Sequence, residues 1–265
     1  MTPPVPTAEF SSLVYGSGGV PLDDQAEAFH EASRLYPDVA PGRLTALLAL
    51  ARSPELQQTV ARSSRTHAQR PGVDLPQAGV GRISLEDALA QRRSAAAAEP
   101  SVLSLEHLAA LLAAAYRSIR GRRPVPSGGA LYPLELYVVA LTVESLDAAS
   151  YHYDPFRHRL ERIGPGVRAD VGAALVDPAL AEHAAALVVV TAMFWRSRFK
   201  YGLRGYRFAL LEAGHAVQNA VLAAAALRVP ALPLGGFYDR RADGLVGADG
   251  LDEATVYALV LGGRA

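Results

Sequence analysis

The sequence predicts an α+β fold whose central sheet is mostly antiparallel. Helical and extended segments are mixed along the chain without the strict strand and helix alternation of a parallel sheet. The segment YHYDPFRHRLERI, residues 151–163, is typical of a β-hairpin that turns at Asp154 and Pro155. Two almost continuous apolar runs, residues 134–143 and 187–193, are typical of strands covered on both faces.

The amino-terminal part of the chain is predicted to be helical. The aspartates at 23 and 24 can cap a helix that runs through Tyr36, where the following proline stops it. A second short helix is expected over residues 43–51. Residues 52–80 carry scattered proline, glycine and charge without a period, which is typical of a linker or wrapping arm. The predicted division is a helical arm, residues 1–80, and a second domain, residues 81–265.

Two serines begin helices in the second domain. Ser84 is followed by Asp87 in a capping arrangement that opens a helix toward Arg93. Ser104 caps another helix, whose leucines lie on one face at helical spacing. The remaining elements are predicted to be a long helix and two extended segments, at residues 205–228, 229–237 and 255–261.

The composition limits the possible partners. The 26 basic and 26 acidic residues balance, so no overall charge attracts nucleic acid or an anionic membrane. The start of the chain lacks the pattern of a secretory signal, and the most apolar stretch, residues 216–227, falls short of the roughly 20 residues that span a bilayer. We expect a cytoplasmic protein with no nucleic-acid and no membrane partner.

Several classes of site are also excluded by sequence. The chain has 0 cysteines, which rules out disulfides, thiolate nucleophiles and cysteine-ligated metals. Its 7 histidines show no HExxH or comparable ligand spacing, so no metal site is expected. Because GxSxG, GxxxxGK[ST] and GxGxxG are all absent, a serine hydrolase, a P-loop and a dinucleotide fingerprint have no support.

Two segments could bind an anion or a flat ligand. Arg92, Arg93 and Ser94 follow a predicted helix, where they either complement the helix dipole or bind a phosphate or a polar ring edge. In RRPVPSGGALYPLELYVV, residues 122–139, the prolines and glycines prevent regular structure just before a strand. This loop is either a tight structural turn or a place where backbone amides approach a ligand.

Three further segments remain open to two interpretations. WRSRFKYGLRGYRF, residues 195–208, is either a solvated charge run or a loop that presents Lys200 and Tyr201 as an acid/base pair, and the cation of Arg204 would lower the pKa of both. LPLGGFYD, residues 232–239, places a second Gly-Gly pair beside a strand. Arg264 is either a frayed terminal residue or a ligand contact.

Taken together, these segments resemble the SagB-type dehydrogenases, a branch of the nitroreductase-like flavoproteins. The resemblance is carried by PSGGALYPLELYVV, by FKYGLRGYRFALLEAGHAVQN and by LPLGGFYD, and it extends over residues 27–37 and 81–265. It implies a nitroreductase-like α+β fold, an intertwined homodimer and FMN at the interface. It also implies oxidation of thiazoline or oxazoline rings in a peptide, free or carrier-bound, to thiazoles or oxazoles during natural-product biosynthesis, beside a heterocyclase or synthetase partner.

The resemblance assigns residues by position. Arg92, Arg93, Ser94 and Arg264 correspond to contacts with the FMN phosphate and ring edge, although Ala96 stands where such proteins often carry a further cation. The remaining implied flavin contacts are Pro126, Ser127 and Gly128 from the partner subunit and Leu234, Gly235 and Gly236 along the ring.

Lys200 and Tyr201 correspond to the catalytic pair of the family. Tyr201, with a pKa lowered by Lys200, would take a proton from the azoline ring. Two alternatives remain: an NAD(P)H-dependent nitro or quinone reductase, and a flavin-free scaffold subunit of a peptide-modifying complex, for which the amino-terminal arm would serve as a docking element.

Overall fold

A computed structural model describes residues 24–36, 52–55, 59 and 64–262. The predicted helix at residues 43–51 and the expected ligand contact at Arg264 lie outside these ranges. The chain builds one sheet in the order β1-β4-β3-β2-β5-β7-β6, in which every neighbouring pair is antiparallel. The strands are β1 (Gly72–Asp74), β2 (Leu134–Ala140), β3 (Ala149–Asp154), β4 (Arg159–Pro165), β5 (Ala186–Met193), β6 (Ala231–Leu234) and β7 (Glu253–Leu261). The predicted α+β class is confirmed.

Helices cover both faces of the sheet. The helices of at least seven residues in the described chain are α1 (Gln25–Ala32), α2 (Leu85–Gln91), α3 (Leu105–Tyr116), α4 (Arg168–Ala174), α5 (Trp195–Tyr201), α6 (Leu203–Leu227) and α7 (Asp239–Val246). The long helix α6 packs with α3 and the apolar side chains of β2 and β5 in the larger core, while α4 and α7 cover the opposite face.

Three segments differ from the sequence prediction. Helix α1 ends at Ala32 rather than Tyr36 because the Ser33 hydroxyl donates to the carbonyl of Phe29 at 2.6 Å and closes the last turn. Residues 195–201 form helix α5 rather than a loop. Residues 72–74, placed by sequence in the arm, pair with β4 at the edge of the sheet.

Helix α6, with 25 residues, is the longest helix of the described chain. By length and composition it could cross a bilayer. One side of it, including Ala213, Val217 and Val221, is instead buried against α3 and the sheet, which is the packing of a core helix in a globular domain.

A carboxylate near the start of β2 fixes the segment that leads into β1. The buried Glu135 accepts hydrogen bonds from Arg196 at 2.6 Å, from the backbone N–H of Arg65 at 2.9 Å and from His152 at 2.9 Å. Burial alone would raise the pKa of Glu135, but the hydrogen bond from His152 and the positive charge of Arg196 outweigh it and lower the pKa to about 2. The segment near Arg65 is therefore held on the sheet by a charged side chain.

Candidate active site

The loop before β2 folds into one short turn. Gly128–Ala130 form a single 3₁₀ turn, and the hydroxyl of Ser127 accepts a hydrogen bond from the backbone N–H of Tyr132 at 2.9 Å. Gly129 has a φ of +65°, in the left-handed region that glycine occupies without strain. The hydrogen bond to Ser127 closes the loop, and the two glycines leave part of its backbone without side chains.

This loop lies directly against the side chains of Lys200 and Tyr201. A Cβ atom placed on Gly129 would come within 2.5 Å of Tyr201 Oη and 2.9 Å of Lys200 Nζ. A Cβ on Gly128 would come within 2.8 Å of the ring of Phe208, which itself packs edge-on against Tyr201 with the ring centroids 4.9 Å apart. Gly129 and Lys200, which are 71 positions apart in sequence, thus meet at one place.

A break between two helices presents the lysine and the tyrosine. Helix α5 ends at Tyr201, Gly202 takes a φ of +56°, and α6 begins at Leu203. Lys200 Nζ lies 5.3 Å from the centroid of the Tyr201 ring, and both side chains are half-buried. Lys200 is also the only lysine in the sequence, since every other basic residue is arginine. The compact ammonium of Lys200, on its flexible stem, is not equivalent to the planar guanidinium that an arginine would place here.

A buried acid supports the loop from behind. Glu212, on α6, is 2% exposed and accepts a hydrogen bond from the Tyr116 hydroxyl at 2.5 Å. Burial raises the pKa of Glu212 to about 7, although hydrogen bonds from Ser127 and Tyr116 and the positive charge of Arg123 act in the opposite direction. Sequence alone does not single out Glu212, because one glutamate inside an apolar helix resembles a solvent-facing residue.

A second group of predicted residues lies at the other end of α6. Arg93 lines a cavity of about 260 Å³ together with Ala96 and Arg228. The guanidinium of Arg92 reaches the Ser94 hydroxyl at 3.4 Å, and the backbone N–H of Ala95 donates to the carbonyl of Ala231 at 3.1 Å. Nitroreductase-like proteins often carry a further cation where this chain has Ala96. Here Arg228 places a cation beside that position.

Strand β6 joins this cavity to the second Gly-Gly pair. The strand runs from Ala231 to Leu234, about 10 Å, and Gly235 and Gly236 follow it, both exposed. A Cβ on Gly235 would meet no heavy atom within 4 Å, and the carbonyl of Gly236 accepts a hydrogen bond from Val176 at 3.1 Å. The edge of the sheet here offers bare backbone on which a flat ring can lie.

The predicted site residues thus form two groups within one chain. Pro126, Ser127 and Gly128 lie with the lysine and tyrosine, whereas the arginines and the Leu234–Gly236 segment lie around β6. No hydrogen bond among the residues that the structure describes joins one group to the other. The last described residue, Gly262, packs against Ala97 and Pro230 beside the arginine cavity, two residues before Arg264.

Comparison with known sequences identifies the fold family. The family model described as "Nitroreductase family" matches residues 89–263. A protein of Methanocaldococcus jannaschii named as a nitroreductase, MJ1384, is 38% identical over 163 residues, which are 59% of this chain and 81% of that protein. Members of this family are FMN-dependent, so the expected cofactor is confirmed.

Two relatives are named for peptide processing. The microcin B17-processing protein McbC of Escherichia coli is 40% identical over 110 residues, which are 39% of this chain and 40% of that protein. The trifolitoxin-processing protein TfxB of Rhizobium leguminosarum bv. trifolii is 37% identical over 109 residues, 39% of this chain and 29% of that protein. The expected resemblance to the SagB-type branch is confirmed, and the chain spans less than half of either relative.

Solved structures confirm the nitroreductase-like fold. A protein of Anabaena variabilis, described as a nitroreductase, superposes with a TM-score of 0.64 at 26% identity, over 75% of this chain and 42% of that one. A chain of the E. coli microcin synthetase McbBCD complex superposes with a TM-score of 0.59 at 23% identity, over 85% of this chain and 94% of that one.

The residues present fit an FMN group. Arg93 and Arg228 offer two guanidiniums at one cavity, which suits a phosphate. The backbone at Gly235, where a Cβ would meet no heavy atom within 4 Å, suits a flat ring.

Proposed function

The chain belongs to the nitroreductase family, and from that premise we propose that it is an FMN-dependent dehydrogenase that oxidises thiazoline or oxazoline rings of a peptide to thiazoles or oxazoles. The observation that carries the proposal is the contact of Gly129 with Lys200 and Tyr201, which brings two of the three motifs of the SagB-type resemblance to one place. The relatives that process microcin B17 and trifolitoxin support the choice of an azole-forming substrate.

The chemistry divides between the protein and its cofactor. When bound, FMN supplies the acceptor for the two electrons that leave as the ring becomes aromatic. The Tyr201 side-chain oxygen takes the proton from the ring carbon. The Lys200 ammonium lies beside the Tyr201 ring, with Nζ 5.3 Å from the ring centroid. The loop at Gly129 fixes both groups against the substrate, so the contribution of the protein is largely positioning.

A homodimer completes the site in this proposal. The two groups of predicted residues would then be two half-sites, with the Pro126–Gly128 segment of one subunit meeting the Arg92–Ser94 and Leu234–Gly236 segments of the other. The outer face of α6 supports this arrangement because it leaves Leu203, Leu210 and Leu211 exposed, the last by 61%. The McbBCD neighbour supports a further synthetase or heterocyclase partner. We place the protein in the cytoplasm.

The test starts from the purified protein. A flavin spectrum with FMN released on denaturation, and an azoline peptide that loses two hydrogens by mass spectrometry, are the expected results. Lys200→Ala and Tyr201→Phe should keep FMN and lose oxidation, while the control Tyr36→Phe, an exposed tyrosine on the amino-terminal arm, should keep both. Full oxidation by the first two variants would refute the assignment.

The reductase alternative is favoured by one comparison. The M. jannaschii relative is named as a nitroreductase and is matched over more of its length than the two peptide-processing proteins. Rapid anaerobic bleaching of the flavin by NAD(P)H would support this alternative over azoline oxidation. A colourless protein that does not take up FMN yet enhances a partner cyclase would support the scaffold alternative.

A further inference from the structure

Four arginines are concentrated in the turn that joins α3 to the active-site loop. Residues 117–123, called here the arginine hairpin, have the sequence RSIRGRR in a chain of zero net charge. The segment therefore creates a local positive surface in an otherwise balanced molecule. Its arginines are Arg117, Arg120, Arg122 and Arg123.

The hairpin is a rigid two-residue turn. Ile119 and Arg122 exchange backbone hydrogen bonds at 2.8 Å and 3.0 Å. The two central residues, Arg120 and Gly121, have φ values of +52° and +78°. This geometry favours Asn-Gly, and a side chain such as arginine costs roughly 1 kcal/mol in the left-handed region. An arginine is thus held at the tip of the turn where asparagine would fit with less strain.

The rest of the protein fixes the hairpin in place. The backbone N–H of Ser118 donates to the carbonyl of Pro155 at 2.9 Å, in the turn between β3 and β4. The Arg123 guanidinium lies 4.1 Å from the centroid of the Tyr116 ring and 5.5 Å from that of Phe156. Arg157, from the same β-turn, has a 60% exposed side chain whose Nε lies 3.8 Å from the carboxylate of Asp154.

The surface combines unpaired charge with apolar side chains. Among the residues that the structure describes, Arg117, Arg120 and Arg122 form no ion pair. Arg117 follows the carboxyl end of α3, where the helix dipole favours a cation. Arg120 and Arg122 lie beyond the reach of this dipole. Ile119 is 63% exposed and Phe156 is 42% exposed, so the patch also offers apolar contact.

We propose that the arginine hairpin, with Arg157, Ile119 and Phe156, binds an acidic segment of the peptide substrate. The inference rests on the proposed function in taking the substrate to be a peptide. Guanidinium groups bind carboxylates through paired hydrogen bonds, and a positive patch speeds the encounter with an acidic chain.

The hairpin is close enough to the site to act on the same peptide. Gly129 is six positions after Arg123 in the sequence, so their Cα atoms are at most about 22 Å apart. An extended peptide of roughly seven residues can connect them. An acidic segment held at the hairpin would thereby raise the local concentration of a ring that lies a few residues away.

The binding test uses the FMN-loaded protein and fluorescence anisotropy. The probe is a fluorescein-labelled peptide in which glutamate alternates with leucine, and its control carries glutamine for every glutamate. The variant is the triple substitution Arg117→Gln, Arg120→Asn and Arg122→Gln, in which asparagine suits the positive φ. The matched control variant removes three exposed arginines elsewhere: Arg52→Gln, Arg82→Gln and Arg240→Gln.

The expected result is binding of the glutamate peptide that weakens with salt and falls about tenfold or more in the hairpin variant, with no change in the control variant. Equal binding of both peptides by the native protein would overturn the proposal, as would unchanged binding by the hairpin variant. Equal competition from a single-stranded oligonucleotide of the same charge would also overturn it. If the triple variant melts early, the single variant Arg122→Gln is measured in its place and should bind severalfold more weakly.

A second measurement separates this inference from the proposed function. Azoline peptides with a glutamate extension or a glutamine extension are compared by kcat/KM. The native protein should prefer the acidic extension, and the hairpin variant should lose only that preference while oxidising an azoline peptide without extension at the native rate. Oxidation without any preference would overturn the hairpin assignment and leave the dehydrogenase intact. Binding of the glutamate peptide without oxidation of any azoline would overturn the dehydrogenase proposal and leave the hairpin assignment intact.

Discussion

Gly129 and Tyr201 are in such close contact that no residue larger than glycine fits at position 129. A Cβ atom at position 129 would lie 2.5 Å from the Tyr201 hydroxyl oxygen, and the φ of Gly129 is +65°. We expect Gly129→Ala to displace Tyr201 and lower the rate of azoline oxidation at least tenfold. The backbone strain should cost about 1 kcal/mol of unfolding free energy. Steady-state kinetics and thermal melts measure both effects.

The control for this substitution is Gly244→Ala on the exposed side of α7. A Cβ there would meet nothing within 4 Å, and alanine favours a helix more than glycine does. This variant should be slightly more stable and fully active. A Gly129→Ala variant with native kcat would show that the loop does not position Tyr201.

Lys200 can be followed chemically because the chain has no other lysine. An amine-reactive ester can modify only Lys200 and the amino terminus, and mass spectrometry separates the two products. Loading the protein with FMN and an azoline peptide should slow modification of Lys200 severalfold and leave the amino terminus unchanged. Lys200→Arg serves as the control, since it removes the reactive group and keeps the charge. Equal rates with and without ligands would place Lys200 outside the site.

The sequence predicts the parts of this fold that depend on local patterns. The apolar runs of β2 and β5, the turn at Asp154 and the serine caps of α2 and α3 each depend on near neighbours. Helix α5 was not predicted because its cations and aromatics lack a clear apolar period. Its helical form depends on contacts with α6, and the apolar pattern of residues 195–201 does not reveal these contacts.

Long-range contacts account for the site features that sequence reasoning missed. Arg228 and Arg93 line one cavity although 135 positions separate them. Glu135 appears as one carboxylate in an apolar strand, and only the fold brings Arg196 and His152 to it. The Pro126–Gly128 loop was predicted as a ligand contact, but its contact with the lysine and tyrosine of the same chain could not be read from spacing.

Arg228 offers a test of the phosphate half-site. It ends α6 with a φ of +57°, where glycine is preferred. Arg228→Gly therefore removes the cation together with the strain, so we expect an unchanged or higher melting temperature. FMN should bind about tenfold more weakly, since a hydrogen bond to a charged group contributes roughly 1.5–3 kcal/mol. Titration with FMN by fluorescence quenching measures the change.

Two further variants keep this result interpretable. Arg240→Ala removes an exposed arginine of α7 and should leave FMN affinity unchanged. Arg228→Lys keeps a cation and should recover part of the lost affinity. Native affinity in Arg228→Gly would mean that the cavity beside Arg93 does not hold the phosphate.

The buried acid behind the loop should make stability depend on pH. The pKa of Glu212 is about 7 in the folded protein, against a usual value of 4.5. The folded state therefore binds a proton that the unfolded chain releases between these values, and the unfolding free energy falls as pH rises from 4.5 to 7. The loss is on the order of 3 kcal/mol and is complete above pH 7.

Glu212→Gln isolates this effect. The amide can still accept a hydrogen bond from Tyr116 but does not titrate, so its unfolding free energy should lack this fall and exceed that of the native protein above neutral pH. Urea melts at several pH values measure the difference, and Glu99→Gln, an exposed carboxylate, should follow the native curve. Parallel stability curves for the native protein and Glu212→Gln would show that Glu212 stays in one protonation state.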